Sequence, residues 1–165
     1  KQSVSMLTHA KSTQKIRFRD CDLFGHLNNS SYIDYFLDAR EDHLSNNYGM
    51  NLSELYKQDQ AWVVGSHEIY YLRPAFYGEM VCLLSALVEV SQDRLIVEMI
   101  MTDEKMQQMK AITWSSFFSI SIKTGTKKSH SQEFMDFAST MLLEDIDYHN
   151  GINNRIKALS RIIKR

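Results

Sequence analysis

The sequence predicts an α+β fold: an antiparallel sheet wrapped around one long helix, with a C-terminal helical extension. Three observations predict it. One strand-like stretch precedes a single long amphipathic segment over residues 31–49. Four stretches rich in β-branched and aromatic residues follow from Ala61, joined by turns short enough for antiparallel neighbours. Two helical patterns close the chain. A strand, a helix and then a run of strands place the helix on one face of the sheet.

Residues 1–13 carry little pattern and are expected to form a flexible tail. "KIRF", residues 15–18, alternates: Ile16 and Phe18 fall on one side, Lys15 and Arg17 on the other, as in a half-buried strand. After a polar cluster comes "SYIDYFLDAREDHLSNNYG". Here Ile33, Phe36, Leu37, Arg40 and Leu44 fall at helical spacing, and Tyr32, Phe36, Ala39 and His43 widen the same side. Ser31 with Asp34 gives an S-x-x-D capping signal, and Gly49 stands where a cap glycine belongs. This helix is apolar over more than half its surface, so the sheet or a partner must cover it. "NLSELYKQDQ" predicts a short helix or turn. "AWVVGSHEIYYLR", "EMVCLLSALVEV", "RLIVEMIM" and "QMKAITWSSFFSISIK" predict four strands, with a bulge at Gly65. "SQEFMDFASTMLLED" then lines up Phe134, Phe137, Ala138, Met141 and Leu142. "INNRIKALSRIIKR" sets Ile152, Ile156, Leu159 and Ile163 on one side and basic residues elsewhere. That basic amphipathic pattern admits membrane-surface binding or packing on the domain or a second subunit. The absence of net positive charge favours packing. The expected organisation is a tail over 1–13, one domain over 14–125 and an extension over 126–165.

The chain has 165 residues, enough for one domain to bury a core without staples. Its formal charge of -1 offers no field for nucleic acid or an anionic membrane. Cys21 and Cys82 are too few for a disulfide framework or zinc cluster, and a reducing cytoplasm is the expected location. No apolar run approaches the roughly 20 residues that span a bilayer, so no membrane span is expected. The opening stretch lacks the apolar segment of a secretory leader.

Chemistry concentrates in "RFRDCDLFGHLNNSSY", residues 17–32, at the junction of the first strand and the long helix. The first-turn amides of a helix lack intrahelical partners and suit a carbonyl oxygen becoming an oxyanion. An acid a few residues upstream can lie opposite them. Asp22 is the stronger candidate, because Asp20 sits beside Arg19 and near Arg17 and suits an ion pair. Gly25 lets the loop turn sharply. His26, Asn28 and Asn29 supply donors for a substrate or for the loop itself. Flanking negative charge disfavours a Cys21 thiolate. Asp20, Asp22 and His26 are too few for a metal site, so neither metal nor cofactor is expected.

The run "RDCDLFGHLNNSSYIDYFLDAR" resembles the D-x-D-x-x-G-H-x-N-N-x-x-Y signature of hotdog-fold acyl thioesterases, the 4-hydroxybenzoyl-CoA thioesterase type and the related acyl-ACP thioesterases. "YLRPAFYGE" resembles that family's turn between its second and third strands, and the element order over 14–122 matches one hotdog domain. The resemblance implies a homodimer or homotetramer, with sheets joined edge to edge, acting on acyl-CoA or acyl-ACP. It implies catalysis by Asp22, as nucleophile or general base, with His26 in the site. Backbone amides near Asn28 and Asn29 would polarise the thioester carbonyl. Gly25, Asn28, Asn29 and Tyr32 are the expected substrate-binding positions. Tyr32 is most simply a core residue, able also to line an acyl pocket. Arg73 and Lys110 are candidates for CoA phosphates, and Met99 and Met101 for core or acyl-chain packing. Two further readings stand beside hydrolysis: a hotdog module that binds acyl-CoA or a carrier without turnover, and an enoyl-thioester hydratase or dehydratase.

Overall fold

The computed structural model describes residues 7–144 and 146–165. Its elements are β1 (Ala10–Lys15), α1 (Tyr32–Tyr48), α2 (Leu52–Lys57), β2 (Ala61–Tyr71), β3 (Met80–Val90), β4 (Arg94–Asp103), β5 (Met109–Ile120), α3 (Gln132–Met141) and α4 (Ile152–Leu159). The strands form one antiparallel sheet in the order β1-β3-β4-β5-β2. The expected α+β architecture with a central helix is the observed one.

β1 corrects two expectations. It begins at Ala10, inside the stretch read as a tail, and it ends before "IRF". Residues 1–6 of that stretch lie outside the described residues. The segment "AKSTQK" has few strong strand formers. What makes it a strand is pairing with β3, from Ala10 opposite Ser85 to Lys15 opposite Met80. Ile16 is fully buried and ends the strand like a peg, while Phe18–Asp20 turns as one short 3₁₀ helix.

α1 ends as expected, on Gly49 at φ 65°, a left-handed cap for which glycine carries no Cβ penalty. Its start differs. A 3₁₀ turn over Asn29–Ser31 leads in, and Ser31 is itself helical and makes no side-chain cap. Tyr32, Tyr35, Phe36, Ala39, Arg40 and His43 are the buried side of α1. Of these, Tyr32, Tyr35, Phe36 and Ala39 form the apolar core on one face of the sheet with Val81, Leu83, Leu87, Val97, Met99, Met101 and Ala111. Met99 and Met101 therefore fill core.

Strand alternation puts Cys82, Leu84, Ile96, Ile100, Ile112 and Trp114 on the opposite face. α4 covers it with Ile152, Ile156 and Leu159, followed by Ile163. The apolar stripe of the basic C-terminal helix is thus spent inside the protein, which leaves no free apolar face for a membrane surface. The chain crosses between faces at Leu142 and Leu143. These bridge Leu87 on β3, beyond the reach of β1, so one side chain joins each core. A buried polar clamp fixes the arrangement. Glu98 Oε2 lies 2.7 Å from His9 Nε2, and its carboxylate accepts from Arg155 at 2.7 and 3.0 Å and from Trp114 at 3.2 Å. The expected bulge lies at Gly65, where the β2–β5 register shifts. A Cβ there would run into the Phe118 ring and the Ser116 hydroxyl.

Candidate active site

The loop between β1 and α1 is built from its backbone outward. Cys21 bridges Leu27, and the Asp22 amide donates to the His26 carbonyl at 2.8 Å, closing a tight turn over residues 22–26. Gly25, at φ 75°, makes the turn possible. A second stretch anchors the loop: Leu27 N–H donates to Ala75 O and Tyr77 N–H to Gly25 O, both at 2.8 Å. Within the turn, Asp22 Oδ1 accepts from the amides of Phe24 at 2.9 Å and His26 at 3.0 Å. One carboxylate oxygen is thereby fixed by the chain, and Oδ2 accepts nothing from the described residues.

Asp20 has a different task. Its Oδ2 accepts from the Tyr35 hydroxyl of α1 at 2.6 Å, and its carbonyl accepts from Asn28 N–H at 2.8 Å. Burial and then this carboxylate push the Tyr35 phenol up to about 12. Asp20 is held, as expected, but its main tether is a tyrosine rather than the exposed Arg19, 3.5 Å away. Burial first, then Asp20 and Asp22, raise the Cys21 thiol, so it stays protonated.

Asp22, His26, Asn28, Asn29 and Tyr32 line one cleft of about 480 Å³, together with Leu27, Tyr71, Leu72, Arg73 and Pro74. Gly25 is not among the lining residues; its contribution is the turn. His26 stacks edge-on against Phe76 at 5.1 Å, and its ring nitrogens make no hydrogen bond among the described residues. Tyr32 is buried, packs edge-to-face on Tyr71 at 5.1 Å, and accepts weakly from Ala75 N–H at 3.3 Å. Tyr71 was missed by sequence reasoning. Its hydroxyl donates to Asn29 O at 2.9 Å and so braces the helix entry from β2, a contact across 42 residues that no local pattern announces.

Two expectations change here. The Asn28 amide is already taken by Asp20, so it is not an oxyanion donor. The amides of Asn29 and Ser30 meet no acceptor among the described residues, and the turn has no side-chain cap. Lys110 is buried, 2.6 Å from Glu79 and donating to Pro74 O at 3.0 Å, so it holds the 73–79 loop instead of meeting phosphates. Arg73 remains exposed at the cleft. No group of three or more metal-ligating side chains occurs among the described residues.

Comparison with known proteins decides the family. The model of the thioesterase-like superfamily matches residues 16–138, most of the chain. The chain belongs to the thioesterase-like superfamily. It is 28% identical over 110 residues to the long-chain acyl-CoA thioesterase FadM of Escherichia coli (strain K12), covering 67% of this chain and 82% of that protein. The crystal structure of the probable thioesterase YbaW from Escherichia coli superposes with a TM-score of 0.71 at 25% identity, over 82% of this chain and all of that one. A DHNA-CoA thioesterase from Staphylococcus aureus gives 0.71 at 19% identity over 93% of each chain, a likeness of fold. Family and fold together make this chain a hotdog thioesterase. No helix among the described residues is long and apolar enough to cross a membrane.

Proposed function

We propose that the chain hydrolyses an acyl-CoA thioester in the cleft below α1, with Asp22 as nucleophile or general base. The observation that carries this reading is the state of its carboxylate. Oδ1 is pinned by two amides, while Oδ2 is left unspent in a cleft that also holds the uncapped entry to the helix. A pinned carboxylate loses little freedom on reaching its reactive geometry. The Asn29 amide is the proposed oxyanion donor. Oδ2 either adds to the thioester carbon or takes a proton from the attacking water. The C–S bond then breaks, and the CoA thiolate leaves and is protonated. If Asp22 adds directly, water hydrolyses the resulting anhydride. His26 and Asn28 position the thioester, the Tyr32 and Tyr71 rings form the wall, and the exposed Arg73 suits a CoA phosphate.

The name of the FadM relative supports CoA over an acyl carrier as the thiol. Free thiols at Cys21 and Cys82 suit a reducing cytoplasm. The proposed assembly is a dimer through β2. This is an edge strand of eleven residues, paired among the described residues only to β5, with Val63 and Val64 nearly half exposed. Such an edge is a template for pairing with a second copy.

A thiol-release assay over a panel of acyl-CoA and acyl-carrier substrates tests the proposal. Asp22→Ala is expected to lower kcat by about a hundredfold or more. Wild type that binds acyl-CoA without releasing thiol would turn the reading to a binding module. Hydration of enoyl-CoA would turn it to a hydratase.

A further inference from the structure

A second chamber, of about 220 Å³, lies between the C-terminal half of α1, α2 and the sheet. Its walls are mostly apolar, chiefly Leu37, Leu44, Trp62, Val97 and Phe117, and two charged residues of α1 also line it, Arg40 and Glu41. Arg40 is only 8% exposed, yet no carboxylate among the described residues lies within ion-pair distance of it. Glu41, next along α1 and also at the chamber, is exposed and unpaired with it.

The guanidinium's own contacts are neutral. Its Nη1 donates to Ser85 Oγ at 2.9 Å, and it lies 5.7 Å from the centre of the Tyr48 ring. Ser85 Oγ lies 2.6 Å from His43 Nδ1, and His43 Nε2 lies 2.8 Å from Ser12 Oγ. Burial, then Arg40 itself, push His43 down to about 4, so it is neutral at pH 7. Ser85 therefore accepts from Arg40 and gives its proton to Nδ1. The string Arg40–Ser85–His43–Ser12 carries one positive charge and no negative one.

A buried cation with no counter-charge costs stability, and an arginine at an apolar cavity recovers it by binding a planar oxyanion. We infer that this chamber binds an apolar molecule ending in a carboxylate, with its chain against Leu37, Trp62 and Phe117 and its carboxylate on Arg40. Two sources share that chemistry: a free carboxylic acid of the kind thioester cleavage releases, and a carboxylate at the far end of a substrate's acyl chain. A two-fold axis would run the two β2 edges antiparallel. It would bring the Trp62 end of one protomer towards the Tyr71 end, and hence the catalytic cleft, of the other.

Calorimetric binding of octanoate and octanol to the full-length protein provides the test. Wild type is expected to bind octanoate about tenfold more tightly than octanol or better, the factor a charge-assisted hydrogen bond supplies. Arg40→Met is expected to abolish that preference and to keep octanol binding. Leu44→Trp, which fills the chamber with the charge intact, is expected to lose both ligands and keeps the test open should Arg40→Met not fold. A second arm, which rests on the thioesterase reading, compares hydrolysis of octanoyl-CoA with suberoyl-CoA, whose chain has the same length and ends in a carboxylate. Loss of a suberoyl preference in Arg40→Met assigns the site to the acyl chain. Loss of octanoate preference with unchanged turnover ratios assigns it to the free acid. Absent turnover of every thioester would count against the proposed activity and leave the binding arm readable. Equal binding of octanoate and octanol by wild type, or a preference that survives Arg40→Met, overturns the inference.

Discussion

At the scale of single residues, the site rests on two aspartates with separate duties. Asp20 ties the loop to α1 through Tyr35 and to the helix entry through Asn28. The Tyr35 hydroxyl donates to Asp20 and accepts from Arg17 N–H, so Tyr35→Phe is expected to lower stability by about 1–3 kcal/mol and to reduce kcat far less than any change at Asp22. Urea unfolding and the thiol-release assay check the two halves. That Asp22 and His26 share one cleft with the helix entry was legible because the acid, the glycine turn and the helix start lie close together in sequence. The Tyr35 tether and the Tyr71 brace were not, because each joins residues that only the folded chain brings together. The Asn28 amide was misassigned for the same reason, since its acceptor is a carbonyl whose direction depends on the turn.

At the scale of elements, the strands with strong β-formers and the long helix could be read directly, and β1 could not. Its edge position needs only one half-buried side, so "AKSTQK" suffices and carries almost no signal. The bulge at Gly65 could be read because an isolated glycine in a strand marks such a site. Its cause is the Phe118 ring, which lies where a side chain would go. Gly65→Val is expected to force β2 off β5, at a cost of about 1–3 kcal/mol, seen as a lower urea midpoint. An unchanged midpoint would show that Phe118 swings aside freely.

At the scale of the whole molecule, the last forty residues do more than extend the domain: α3 packs on the α1 side, and the residues from Leu143 onward cover the second face of the sheet. The sequence revealed the apolar stripe of α4 but not the surface it meets. Glu98 locks that layer. Burial alone would raise its carboxyl, but hydrogen bonds from His9 and Arg155 hold it down to about 2, against an ordinary 4.5. A depressed folded-state value stabilises the protein above the unfolded value and is lost as pH falls through the folded one. Stability is therefore expected to decline from about pH 4.5 towards pH 2. In Glu98→Gln that part of the decline should vanish, at the expense of stability at neutral pH. Thermal unfolding across that range checks the sign, and an equally steep acid decline in Glu98→Gln would remove the clamp from the account.

Site, loop and sheet meet in one claim: the charge of Asp22, held by the turn, drives thioester cleavage. Asp22→Asn tests it most directly. The amide oxygen can keep accepting from Phe24 and His26, so the turn survives while the charge is lost. The account predicts a fall in kcat of about a hundredfold or more for acyl-CoA, with KM and thermal stability nearly unchanged. Wild-type kcat in Asp22→Asn would contradict it.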